Sequence, residues 1–135
     1  MRKRIIIFAG VILCLTVMAI GYHLYNMPRT TAVGMSVDKS VSAKELFDAY
    51  TKDEKAADLQ YGNKVLEITG AVLDVQRSGK DVSVLLSGGG NGGGVNCTMT
   101  GDVPVPRKGA LIHVKGRCTG FLMDVSIIDA TIVNK

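Results

Sequence analysis

The sequence has no tryptophan, and phenylalanine and tyrosine raise its aromatic content to only 5%. A surface that stacks successive nucleobases needs aromatic rings, so few positions could serve. Only two histidines, His23 and His113, accompany three cysteines. Neither histidine stands at ligand spacing from a cysteine, so no metal site is expected. His113 has no nucleophile elbow or neighbouring carboxylate signal, which leaves no hydrolytic triad. No cofactor motif is found, and the chain reads as non-catalytic.

Charge is missing from one long stretch. Ile5 to Tyr25 holds 21 residues without Asp, Glu, Lys or Arg, directly after Arg2-Lys3-Arg4. As a helix this segment can cross a hydrocarbon core of roughly 30 Å. Tyr22 and Tyr25 fall where interfacial aromatics sit, and the leading basic residues favour a cytoplasmic N-terminus. The expectation is a single-pass anchor in a bacterial inner membrane, with the domain periplasmic or extracellular. Cleavage after the small-x-small triplet Ala19-Ile20-Gly21 would instead secrete the domain. A lipid-modified Cys14 is disfavoured by the large Leu13 before it and by its depth in the apolar run.

The anchor also accounts for most of the basicity. The chain is formally +4. Without Arg2, Lys3 and Arg4, 13 basic residues face 12 acidic ones. The folded part therefore lacks the electrostatic footprint of a phosphate-backbone binder.

The expected division is an anchor over 1–27, a linker over 28–40 and one domain over 41–135. Pro28, Thr30, Thr31, Gly34 and Ser36 mark the linker. Ser42 followed by Glu45 forms a capping-box pattern and predicts a helix with Leu46, Ala49, Tyr50 and Ala57 on its apolar face. From Lys64 the period becomes two. Five strands are predicted over 65–75, 81–87, 95–100, 111–119 and 123–133. The first is expected to bend at Gly70, and the last to change phase near Ile127-Ile128. Arg77-Ser78-Gly79-Lys80 reads as a hairpin. A mainly β fold follows: a five-stranded OB-type barrel preceded by one α-helix, with an N-terminal transmembrane helix.

Particular residues carry a family likeness. Leu46-Phe-Asp-Ala-Tyr50, Ala57-Asp58, Tyr61, Lys64-Val-Leu-Glu-Ile-Thr-Gly70, Val95-Asn-Cys97, Lys115-Gly-Arg-Cys-Thr-Gly120 and Asp124-Val125 occur in that order. Together they resemble the tRNA-anti-like family of bacterial OB-fold domains, over roughly Val41 to Val133. The resemblance implies an OB fold with a helix before the barrel. The glycine-rich stretch between the second and third strands departs from the pattern.

That stretch, Gly88 to Gly94, has no following Lys-Ser/Thr and leads into a strand. It is expected to be a flexible connection and not a phosphate cradle. Cys97 and Cys118 both fall on inward phases, which leaves a disulfide and two buried thiols as alternatives. OB folds bind ligands on the face of their second and third strands and in two loops. That places candidate ligand residues at Arg77, Lys80, Asn96, Thr98 and Phe121, with Leu122 beside Phe121. The leading expectation is a membrane-tethered binding module for a protein partner or another envelope ligand. Single-stranded nucleic-acid binding is the second candidate and a purely structural envelope domain the third.

Overall fold

A computed structural model describes residues 1–26, 32–90 and 92–134. Pro28, Thr30 and Thr31 of the expected linker lie outside these residues, as do Asn91 and Lys135.

The charge-free segment forms one helix, α1 (Arg2–Tyr25), with no buried residue. It is apolar on every side, and its 24 residues extend about 36 Å at 1.5 Å per residue. The helix is long and apolar enough to span a membrane.

Ala32–Gly34 forms a single 3-10 turn, and Ala32 is buried. Strand β1 (Lys39–Ser42) then runs parallel to β2 (Val65–Ser78), with Lys39 opposite Leu66 and Ser42 opposite Thr69. The sequence period did not show this strand, because four residues with one buried apolar side chain, Val41, carry no readable alternation.

Ser42 ends β1 and caps α2 (Ala43–Lys52): its Oγ accepts the Glu45 N–H at 3.2 Å. The single expected helix divides at Asp53. Its backbone N–H donates to the Ala49 carbonyl, closing α2, and its Oδ1 accepts the Ala56 N–H, opening α3 (Glu54–Tyr61). One extended aspartate thus satisfies orphan groups of both helices.

The remaining strands are β3 (Asp81–Ser87), β4 (Gly94–Thr100), β5 (Leu111–Phe121) and β6 (Val125–Val133). The pairings run β2–β3–β4–β6–β5 and return to β2, closing a five-stranded barrel with β1 as an extra strand. Strand β2 supplies the corner. Its first half pairs with β5 and its second half with β3. The expected bend falls slightly later than Gly70, at a register shift between Val72 and Asp74. Gly70 serves close packing instead, since a Cβ there would lie 2.7 Å from that of Ala43. The phase change in β6 is real: Asp129 adopts φ 52°, and the inward sequence passes from Ile127 to Ala130.

Alternation fills the barrel. Val82, Val84 and Leu86 from β3 meet Val95, Cys97 and Met99 from β4, all fully buried. Val114 and Cys118 complete the layer from β5, with Ile112 only partly buried. Leu46, Tyr50, Ala57 and Tyr61 from α2 and α3 close one end. All four aromatic residues beyond α1 meet there. Phe121 stacks on Tyr50 and lies edge-on to Phe47, while Tyr50 also meets Tyr61.

Candidate ligand face

The outward side of β2, β3 and β4 is set by the same alternation that fills the barrel. Where Val84 and Leu86 point in, Ser83 and Leu85 point out; where Val95 and Cys97 point in, Asn96 points out. Register aligns these side chains across strands. Asp74 lies opposite Leu85, Leu85 opposite Asn96, and Asn96 opposite Ser126 of β6. A second row joins Gln76, Ser83 and Thr98.

Between the rows lies a pocket of about 130 Å³ lined by Asp74, Gln76, Ser83, Leu85, Asn96 and Asp124. An adjoining hollow is lined by Asn96, Leu122, Met123, Asp124 and Ser126. Leu122 and Met123 form the tip of the β5–β6 hairpin and are 91% and 85% exposed.

The pocket is rich in acceptors. Asn96 Oδ1 is buried and has no hydrogen-bond partner, a state that costs roughly 1–3 kcal/mol. Asp124 Oδ1 accepts the Gly94 N–H at 2.8 Å, which ties the β5–β6 tip to the start of β4. Asp74 meets Lys108 Nζ at 2.7 Å. That hydrogen bond holds the Asp74 carboxyl below the usual carboxylate range, helped by the Val75 backbone and more weakly by the Gln76 side chain.

The residues expected to bind ligand divide into three groups. Asn96 is in the pocket, and Thr98 is half-buried in the adjoining row beside Ser83. Arg77 and Lys80 are exposed at the β2–β3 hairpin, where Gly79 takes φ 61°. Phe121 belongs to the aromatic cluster under α2, half-buried between Tyr50 and Phe47. Asp74, Leu85 and Asp124 were not singled out as face residues. Outward phase alone marked Leu85, whereas Asp74 needed the bulge that changes the phase of β2.

The glycine-rich connection is seated on α2. Cβ atoms at Gly88 and Gly93 would lie 2.6 and 2.5 Å from the Phe47 ring, and one at Gly89 2.8 Å from the Lys44 stem. Bare backbone is what allows that ring to approach the loop so closely. Gly88 N–H also donates to the Gly93 carbonyl. The stretch expected to be a flexible connection is therefore packed at both of its ends.

Cys97 and Cys118 are separate, fully buried thiols. Ile127 of β6 lies between them, paired with Cys97 on one side and Cys118 on the other. Two strand spacings on a curved sheet keep their Cα atoms roughly 8–10 Å apart, beyond the ~7 Å that a disulfide tolerates. Burial pushes the Cys97 thiol up to about 12. Cys118 Sγ lies 3.3 Å from Tyr50 Oη, which also donates to Asp58. Burial, then the contact with Cys118, raises the Tyr50 phenol.

His113 is half-buried on β5, its Nδ1 2.9 Å from Thr69 Oγ1. Among the described residues no three His, Cys, Asp or Glu side chains are grouped to hold a metal ion.

The family model described as tRNA_anti-like matches residues 1–132. No curated protein matches the chain. Among solved structures, one described as a "putative nucleic acid-binding lipoprotein" from Klebsiella pneumoniae is similar, with a TM-score of 0.56 and 15% sequence identity. The match covers 80% of this chain and 100% of that one. At that identity the likeness concerns the fold.

Proposed function

The chain belongs to the tRNA_anti-like family, and from that membership we infer that it is a non-catalytic binding module tethered to a membrane by α1. Its ligand is a protein or another envelope component, held on the β2–β3–β4 face and the β5–β6 tip. One observation carries this reading. All four aromatic rings beyond α1 are gathered at one end of the barrel, while the face holds the Asp124 carboxylate and an Asp74 carboxylate paired with Lys108. Stacked bases would find no ring there, and phosphates would meet like charge.

The proposed arrangement places anchor residues 1–27 in the bacterial inner membrane and the domain, 41–135, outside the cytoplasm. Residues 28–40 join them, with β1 beginning two residues inside that linker. Cleavage near Gly21 would release the same domain. Protease added to right-side-out membrane vesicles should degrade the domain if it is external. Protection until lysis would overturn the orientation.

Single-stranded nucleic-acid binding is the second reading. It is favoured by the description of the Klebsiella protein and by Arg77 and Lys80 at the β2–β3 hairpin. Titration with an oligonucleotide at low salt separates the two, because backbone contacts give affinity that falls with salt. No affinity at low salt is expected. Salt-sensitive micromolar binding would establish the second reading.

A further inference from the structure

The geometry points to a specific occupant for the pocket around Asn96: an arginine or lysine side chain of a protein partner, flanked by an apolar residue. This rests on the reading of the β2–β3–β4 face as a binding surface, and it names what that surface takes.

Asp74, Asp124 and Asn96 line the pocket, and no Lys or Arg is among its lining residues. Asn96 Oδ1 has no donor. The amide can turn about its soft χ2 to offer that oxygen to the pocket. Asp124 engages Gly94 through Oδ1, and its other oxygen accepts no bond among the described residues. Asp74 already accepts from Lys108, the Val75 backbone and Gln76, so the oxygen left to take a positively charged donor is on Asp124. A guanidinium supplies several donors in one plane and suits two carboxylates and a carbonyl. The fold already places a cation at the rim, since Lys108 reaches Asp74 from the β4–β5 connection while its own side chain is largely exposed. A partner cation would compete with Lys108 for Asp74. The apolar flank is met by Leu122 and Met123, which share the adjoining hollow with Asn96 and Asp124.

The test uses the full chain in detergent micelles, isotope-labelled for NMR. The probes are acetyl-Leu-Arg-Leu-amide and its citrulline counterpart, which keeps the shape and lacks the charge. The arginine peptide should shift the Asn96 side-chain amide saturably, with at least about tenfold tighter binding than the citrulline peptide. Asp124→Asn retains an oxygen for Gly94 and removes the charge, so affinity should fall about tenfold. Lys108→Met frees Asp74 and should raise affinity, by up to about fivefold. Even if Asp124→Asn fails to fold, the gain in Lys108→Met remains a readout that a structural role would not produce. Equal binding of the two peptides, or no shift at this face from either, overturns the inference. A benzophenone side chain at Ser83, crosslinked in native membranes, then isolates the broader reading. A protein adduct leaves the binding face standing, a nucleic-acid adduct replaces the ligand class, and no adduct removes the face as well.

Discussion

The ring of Phe121 lies over that of Tyr50 with centroids 5.8 Å apart and planes 18° from parallel. This contact joins the end of β5 to α2 and closes the lower end of the barrel. Such pairs contribute about 0.5–1.5 kcal/mol beyond the area they bury. Phe121→Ala should therefore destabilise the domain by about 2–4 kcal/mol, with Phe121→Leu recovering part of the loss. Urea denaturation measures both. A near-neutral Phe121→Ala would mean that the ring does not close the core.

Tyr50→Phe removes the hydroxyl that bridges Asp58 and Cys118. A loss of about 1 kcal/mol is expected. The phenol also predicts alkaline behaviour. Its folded pKa is raised, so the unfolded chain releases the proton first, near pH 10. The stability contributed by the neutral phenol is present below that pH and declines as pH rises beyond it. Tyr50→Phe should flatten this decline in denaturation midpoints measured between pH 9 and 11.

The buried thiols give a chemical test. In a Cys14→Ser background, the folded domain should leave Cys97 and Cys118 unreactive toward a thiol reagent at pH 8. Denaturant without reductant should expose two thiols per chain. Exposure of none would demonstrate a disulfide and require β6 to be displaced.

Glycines in the β3–β4 connection should differ sharply in tolerance. Gly93→Ala drives a methyl into Phe47, whereas a Cβ at Gly90 meets nothing within 4 Å. Gly93→Ala is expected to cost about 1–3 kcal/mol and Gly90→Ala less than about 0.5 kcal/mol. Adding Phe47→Leu should relieve part of the Gly93→Ala penalty, which a double-mutant cycle would read.

The Asp74–Lys108 pair yields a titration prediction. The Asp74 carboxyl should titrate below the ordinary aspartate value, and Lys108→Met should bring it back up. Because the folded pKa is depressed, the pair's contribution is present above the unfolded pKa and is lost as pH falls through the folded one. Carboxyl carbon shifts measured by NMR report the midpoint directly.

Much of the barrel was legible because inward residues on β3 and β4 alternate without interruption. Ser42 and Glu45 located the helix start for an equally local reason. What escaped was set by distant partners. Strand β1 exists only because β2 offers it an edge, and Asp53 breaks the helix through an extended backbone that its residue type does not demand. The candidate face was half legible. Asn96 and Thr98 follow from strand phase, but the bulge before Asp74 shifts the face of β2. Phe121 sits in a loop-like position by sequence, yet its ring fits between Tyr50 and Phe47. The glycine run reads as slack in the sequence because nothing in its seven residues announces that Phe47, some forty positions earlier, needs a bare surface.

Strand β1 has a mechanical consequence. Any pull on the chain from its N-terminal side reaches the 3-10 turn at Ala32 and then β1 before it reaches the barrel. Ala32 is held by one buried methyl group, Asp38 exchanges two hydrogen bonds with Val65, and β1 is paired with β2 over four residues. The barrel strand beneath it is held by a longer pairing, with β2 matched to β5 over seven residues. Under tension the junction would yield first, lengthening the segment before the barrel by the residues of β1 while the β2–β3–β4 face keeps its shape.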